Sequence, residues 1–108
     1  MRFRFWSRKR RRRFAVLLHA KNLLMTDDRD VECVGGAYTW SDVEGTDENA
    51  AVQQAIHELV TAEAFVREVR NQGDRNIRIE AEEIISLDGD EKNRSTGIVF
   101  YVATDEES

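Results

Sequence analysis

The chain has 108 residues, 41% hydrophobic and 34% charged, which suffices for one sheet-and-helix core and is too short for two. That apolar content excludes a disordered polyelectrolyte, and no apolar run approaches the roughly 18 residues a membrane-spanning helix needs. The formal charge of −5 conceals a split: eight cations crowd the first thirteen residues, while positions 14–108 hold eight basic residues against all 21 acidic ones, a body of −13.

The amino-terminal stretch MRFRFWSRKRRRRF carries Arg2, Arg4, Arg8, Lys9, Arg10, Arg11, Arg12 and Arg13, with Phe3, Phe5 and Trp6 among them. Eight cations would attract phosphates strongly, without sequence discrimination and with steep salt dependence, and the rings could stack on unpaired bases. An anionic membrane would gain about 1 kcal/mol per cation near its surface. Arg11-Arg12-Arg13-Phe14 has the outline of an export signal, but the following apolar stretch is short, contains His19, and meets Lys21 with no small-x-small cleavage pattern. A passive tail, or a strap over the chain's own acidic body, completes the alternatives.

From Phe14 to Met25 apolar residues occupy both parities of an extended chain. This predicts a strand with Phe14, Val16, Leu18, Ala20 and Leu24 on one side and Ala15, Leu17, His19, Lys21 and Leu23 on the other. The charged turn TDDRD leads to a second strand, VECVGGAYTWSDVEG, in which Gly35-Gly36 permits a bulge or tight bend and Tyr38 and Trp40 share a face. Gly45-Thr46-Asp47-Glu48 supplies a break, an N-cap and acidic first-turn residues, so a helix is expected from about residue 47. Val52, Ala55, Ile56, Leu59, Ala62, Phe65, Val66 and Val69 recur at three- and four-residue steps, and Gly73 marks the stop.

A third strand follows in NIRIEAEEIISLD, where the adjacent Glu82-Glu83 suggests a bulge. After the polar loop DGDEKNRST, the run GIVFYVAT reads as a central strand covered on both faces. The residues DEES are expected to form a solvated tail.

The sequence therefore predicts a basic aromatic arm over 1–13, a single α+β domain over 14–104 and an acidic tail over 105–108. Its order is β-β-α-β-β: two hairpins flanking one long helix, the helix lying on one face of a four-stranded, mainly antiparallel sheet. One helix covers one face only, so Leu17, Leu23, Val99, Tyr101 and Ala103 are expected to form an apolar patch on the other. A monomer seldom leaves such a patch bare. Leu17, Leu23, Tyr38, Trp40, Val99 and Tyr101 are accordingly the candidate interaction face, for a partner protein or a second copy in a homodimer. A one-residue slip of register would instead return part of this set to the core.

Catalytic signatures are absent: there is no G-x-S-x-G, H-E-x-x-H, P-loop or dinucleotide-binding glycine pattern. His19 and His57 read as satisfied or solvent-facing residues, and Cys33, the single cysteine, as a half-buried strand residue in a reducing compartment such as the cytoplasm. The loop Asp88-Gly89-Asp90-Glu91-Lys92-Asn93 begins like a calcium loop, but Lys92 and Asn93 stand at the wrong positions and no glutamate closes it. No metal or cofactor is expected. Glu80, Glu82, Glu83 and Asp105 to Glu107 offer an electronegative surface, either for a basic partner or for solubility.

The segment GGAYTWSDVEGTDENAAVQQAI, about a fifth of the chain, resembles the strand-to-helix passage of small HicB-type antitoxins. It lacks the proline and Gly-Cys turn usual there and has two strands before the helix where that family has three, so neither membership nor any residue role is carried over. The expected function is a non-enzymatic adaptor or inhibitor-like module acting through the sheet face and acidic surface. Nucleic-acid binding by the arm is the alternative, and a small enzyme ranks third.

Overall fold

In the computed structural model, which describes residues 12–87 and 95–103, the chain runs β1 (Arg12–Thr26), β2 (Glu32–Gly45), α1 (Glu48–Thr61), α2 (Glu63–Glu68), β3 (Arg78–Leu87) and β4 (Val99–Val102). The expected α+β architecture is present: a four-stranded antiparallel sheet with the helices on one face. The sheet order is β3-β1-β2-β4. Among the described strands only β1 and β2 form a hairpin. The helices carry the chain past β1, so β2 and β3 run parallel on either side of it, a split β-α-β arrangement.

This order corrects the second expected hairpin and the central placement of GIVFYVAT. β4 is a four-residue terminal strand paired with β2, and its Val99 and Val102 are 63% and 49% exposed. The central positions belong to β1 and β2, whose longer runs pair over 13 positions and leave β4 the outer flank of β2. Just before β4, side chains continue the pairing: the Ser95 hydroxyl accepts from the Asp42 amide at 2.9 Å and the Thr96 hydroxyl from the Trp40 amide at 3.2 Å.

The core lies between the sheet and the helices. Phe14, Val16, Leu18 and Ala20 of β1 meet Ala37 and Val43 of β2, Ala51, Ala55 and Leu59 of α1, and Phe65 of α2. Asp47 caps α1, its carboxylate accepting from the Ala50 amide at 2.8 Å, an interaction that contributes about 1 kcal/mol.

The expected single long helix is broken at Ala62, whose ψ of 140° is extended. β-branched Val60 and Thr61 favour the helix weakly, and the Thr61 hydroxyl binds the His57 carbonyl at 2.7 Å. The break reorients the second segment. Phe65 reaches the core, whereas Val66, expected on the apolar face, is 49% exposed.

Two bulges set which residues share a face. In β3, Leu17 pairs with Glu83 and Leu18 with Ala81, leaving Glu82 as the extra residue and placing the bulge where the glutamate pair suggested it. Ile84 thereby joins Ile77, Ile79 and Ala81 on the core side. In β1, Lys21 and Asn22 together oppose Gly36, and Asn22 adopts φ 63°, a conformation asparagine tolerates better than most residues. Beyond this bulge the parity flips. Leu23, expected on the open face, is 0% exposed in the core beside Met25.

The β1–β2 turn is fixed by Asp27, whose Oδ1 accepts from the Arg29 and Val31 amides at 2.8 and 3.0 Å. The Val31 hydrogen bond, then those of Arg29 and its charge, hold the Asp27 carboxyl below its ordinary 3.8. A depressed carboxyl contributes stability above its unfolded pKa and loses it as pH falls through the folded one. The stability difference between wild type and Asp27→Asn is therefore expected to be present near neutrality and to shrink on acidification below about pH 4, followed by urea unfolding at stepped pH.

Candidate functional site

The face turned away from the helices is built from alternating residues of all four strands. β1 contributes Leu17 and His19, β2 Tyr38 and Trp40, β4 Val99 and Tyr101, and β3 Glu80, Glu82 and Glu83. The register sets Leu17 opposite Trp40, His19 opposite Tyr38 and Tyr38 opposite Val99, so three strands deliver their side chains to one area.

Leu17, Tyr38, Trp40 and Val99, four of the six residues expected to form an interaction face, line one concavity of about 400 Å³ together with Thr39 and Thr96. Tyr38 and Val99 are exposed, and Leu17 and Trp40 are half-buried. Of the remaining two, Tyr101 stands beside the concavity in a polar network. Leu23 is absent from this face for the reason given by the β1 bulge.

That network takes one residue from each strand. His19 Nδ1 lies 3.1 Å from Glu82 Oε2 on β3, and Nε2 lies 2.5 Å from the Tyr101 hydroxyl on β4. The imidazole stacks on Tyr38 of β2 with centroids 4.0 Å apart and planes 16° from parallel. A neutral ring can donate to the carboxylate through Nδ1 and accept from the phenol through Nε2. With His19 8% exposed, both nitrogens engaged and one ring face covered, the arrangement ties the strands together and fixes the rings beside the concavity.

Gly36 makes room for it. A Cβ there would strike the Tyr101 phenol and lie 2.5 Å from the Ala20 carbonyl oxygen, so the absent side chain is the seat of the Tyr101 ring. His19 and Glu82 were not singled out from sequence for this role. The available signal was parity: His19 lies two residues from Leu17 on the same side, and the bulge that displaces Glu82 turns its carboxylate toward that side.

Charge surrounds the apolar area. Lys21 pairs with Glu80 at 3.1 Å, which raises the lysine above 10.5 and lowers the glutamate below 4.5, in each case first through the hydrogen bond and then through the partner's charge. Glu83 stands opposite Leu17 and is exposed. Arg13 makes a bidentate contact to Asp42, at 2.6 Å in its shorter arm. Arg12 lies over the Phe14 ring, 5.1 Å from its centroid. These two expected arm residues are the first two of β1.

The others, Arg2, Arg4, Arg8, Lys9, Arg10 and Arg11, lie outside the described residues, as do Phe3, Phe5, Trp6, the loop Asp88 to Asn93 and the tail 105–108. Among the described residues no group of three or more His, Cys, Asp or Glu could hold a metal ion, and no helix is long and apolar enough to cross a membrane. Cys33 is half-buried, as expected, and pairs with Met25. His57 is exposed on α1.

Comparisons of the chain with protein-family models, with curated proteins and with solved structures gave no match.

Proposed function

We propose that the protein is a non-enzymatic interaction module, and that the helix-free face of its sheet receives an apolar, cation-bearing segment of a partner protein. The observation that carries this reading is the convergence of Leu17, Tyr38, Trp40 and Val99, from three strands, on one concavity. Aromatic residues in a partly enclosed apolar setting are the usual anchors of binding energy. The cationic character of the segment follows from the surroundings. Glu83 stands across from Leu17, Glu80 and Glu82 continue the acidic row along β3, and the body of the chain is strongly acidic. A non-enzymatic role is favoured by the His19 network, in which both ring nitrogens already have partners.

The test uses the full chain and short synthetic peptides alternating arginine with leucine, with an arginine–serine peptide as control. The arginine–leucine peptide is expected to shift the Trp40 indole resonance saturably. Leu17→Lys is expected to weaken that binding at least about tenfold, while Val66→Lys on the helical side leaves it unchanged. Equal binding of the arginine–serine peptide, or wild-type affinity in Leu17→Lys, would overturn the reading. Light scattering provides the competing outcome, since a dimer that Leu17→Lys dissociates would assign this face to self-association in place of a basic partner.

A further inference from the structure

Beyond the β1 bulge, about seven residues or roughly 23 Å along the strand from Leu17, the chain surrounds a second hollow. It has a volume of about 610 Å³ and lies between the far ends of β1 and β2 and the segment 71–78. Its frame is braced by side-chain amides. Asn71 Oδ1 accepts from the Leu24 amide at 2.8 Å and Asn71 Nδ2 donates to the Asn22 carbonyl at 3.2 Å. Asn22 Nδ2 in turn donates to the Asn76 carbonyl at 2.8 Å. These bonds hold the 71–76 turn against the bulge and use one amide N–H of Asn71 and one of Asn22.

Two cations on the rim are not consumed. Among the described residues the side chains of Arg75 and Arg78 make neither a close ion pair nor a hydrogen bond, although both residues line this hollow. The contrast with the rest of the body is sharp. Arg13, Lys21, Arg29 and Arg67 each have a carboxylate partner, Arg70 binds the Thr26 hydroxyl, and Arg12 covers Phe14. Arg78 contributes to lowering the Glu80 carboxyl, but Lys21 takes the hydrogen bond there. The Asn76 side-chain amide adds a donor that no described residue accepts from.

The other wall is apolar, formed by Leu24 and by Val34, which is 52% exposed. Asp74 also lines the hollow, its Oδ1 accepting from the Asn76 amide at 2.8 Å. With Arg75 and Arg78 it leaves the hollow one net positive charge, which a single carboxylate neutralises. Two guanidiniums and an amide facing an aliphatic wall suit a planar, bidentate acceptor joined to an apolar group.

We infer that this hollow binds a singly charged carboxylate carried on an aliphatic body, either a small carboxylic acid or the carboxyl terminus of a peptide ending in an aliphatic residue. The site is separate from the Leu17–Trp40 concavity and stands or falls independently of it.

The experiment titrates the full chain by heteronuclear NMR at constant ionic strength. The probes are N-acetylleucine, its neutral amide, a leucine-terminated tetrapeptide and inorganic phosphate. N-acetylleucine is expected to shift the amides of Leu24, Val34 and Asn76 saturably, and the Arg75→Gln/Arg78→Gln double variant to weaken it about tenfold or more. Both arginines are exposed and their side chains make no hydrogen bond, so outside the hollow and the neighbouring Glu80 the spectrum should be unchanged in that variant and report an intact fold. Tighter binding of the tetrapeptide would support a peptide terminus as the source, and equal affinity a small acid. The assignment is overturned if the neutral amide binds as well as the acid, if the double variant retains wild-type affinity, or if phosphate binds as tightly as N-acetylleucine.

Discussion

Leu23→Ala is expected to lower the stability by about 2–5 kcal/mol in urea unfolding, whereas Leu17→Ala should cost only about 1 kcal/mol. The two leucines lie six positions apart, and uninterrupted alternation along β1 would give them the same face and the same cost. The Lys21–Asn22 bulge separates them. Leu23 is 0% exposed among Ala20, Met25 and the helices, so truncation removes buried methyl groups and leaves a cavity in a close-packed core. Leu17 remains half-buried at the edge of a concavity, where the loss is transfer energy alone. Equal costs, or the reverse order, would mean that the bulge is misplaced and that the composition of the open face must be redrawn.

Gly35→Ala carries the second large effect, about 3 kcal/mol or more. A Cβ at Gly35 would overlap the Tyr101 carbonyl oxygen, with the Tyr101 carbonyl carbon at 3.0 Å and Met25 Cε at 2.7 Å. The methionine end can move, but the carbonyl belongs to the backbone of β4, which is held to β2 over only four register positions. Relief therefore requires β4 to shift. The expected signature is local as well as global: hydrogen-exchange protection in Phe100 and Tyr101 should fall far more than protection in β1. A variant as stable as wild type with β4 still protected would show that β2 and β4 are not this close.

Secondary structure was the most legible layer of the sequence because its signals are local. Alternation in β1 and β2, Asp47 before an acidic first turn, and the spacing of Val52, Ala55 and Leu59 each act within a few residues. Strand neighbours were less legible. The apolar run around Val99 matches a buried central strand as well as an exposed edge strand, and the choice depends on how much of β1 and β2 remains free for pairing. The break at Ala62 was hidden because the three- and four-residue apolar spacing continues through it, and what changes is the direction of the second segment.

The candidate face was readable to the extent that parity was. Leu17, Tyr38, Trp40 and Val99 share the helix-free side as expected, since no bulge lies between each of them and its cross-strand neighbour. Leu23 departs from the face that alternation gives it because nothing in Lys21-Asn22 announces a bulge as plainly as Glu82-Glu83 does, two carboxylates where one apolar position is due. The His19 network needed both kinds of information at once. Its four members are spread from residue 19 to residue 101, and only the order β3-β1-β2-β4 makes them adjacent.

Intermolecular nuclear Overhauser contacts between the leucine methyls of the arginine–leucine peptide and the full chain test the proposed binding face most directly. Contacts to Leu17, Trp40, Tyr38 and Val99 are expected. Contacts confined to Val66 and the helical side, or none at peptide concentrations that saturate the Trp40 shift, would contradict it.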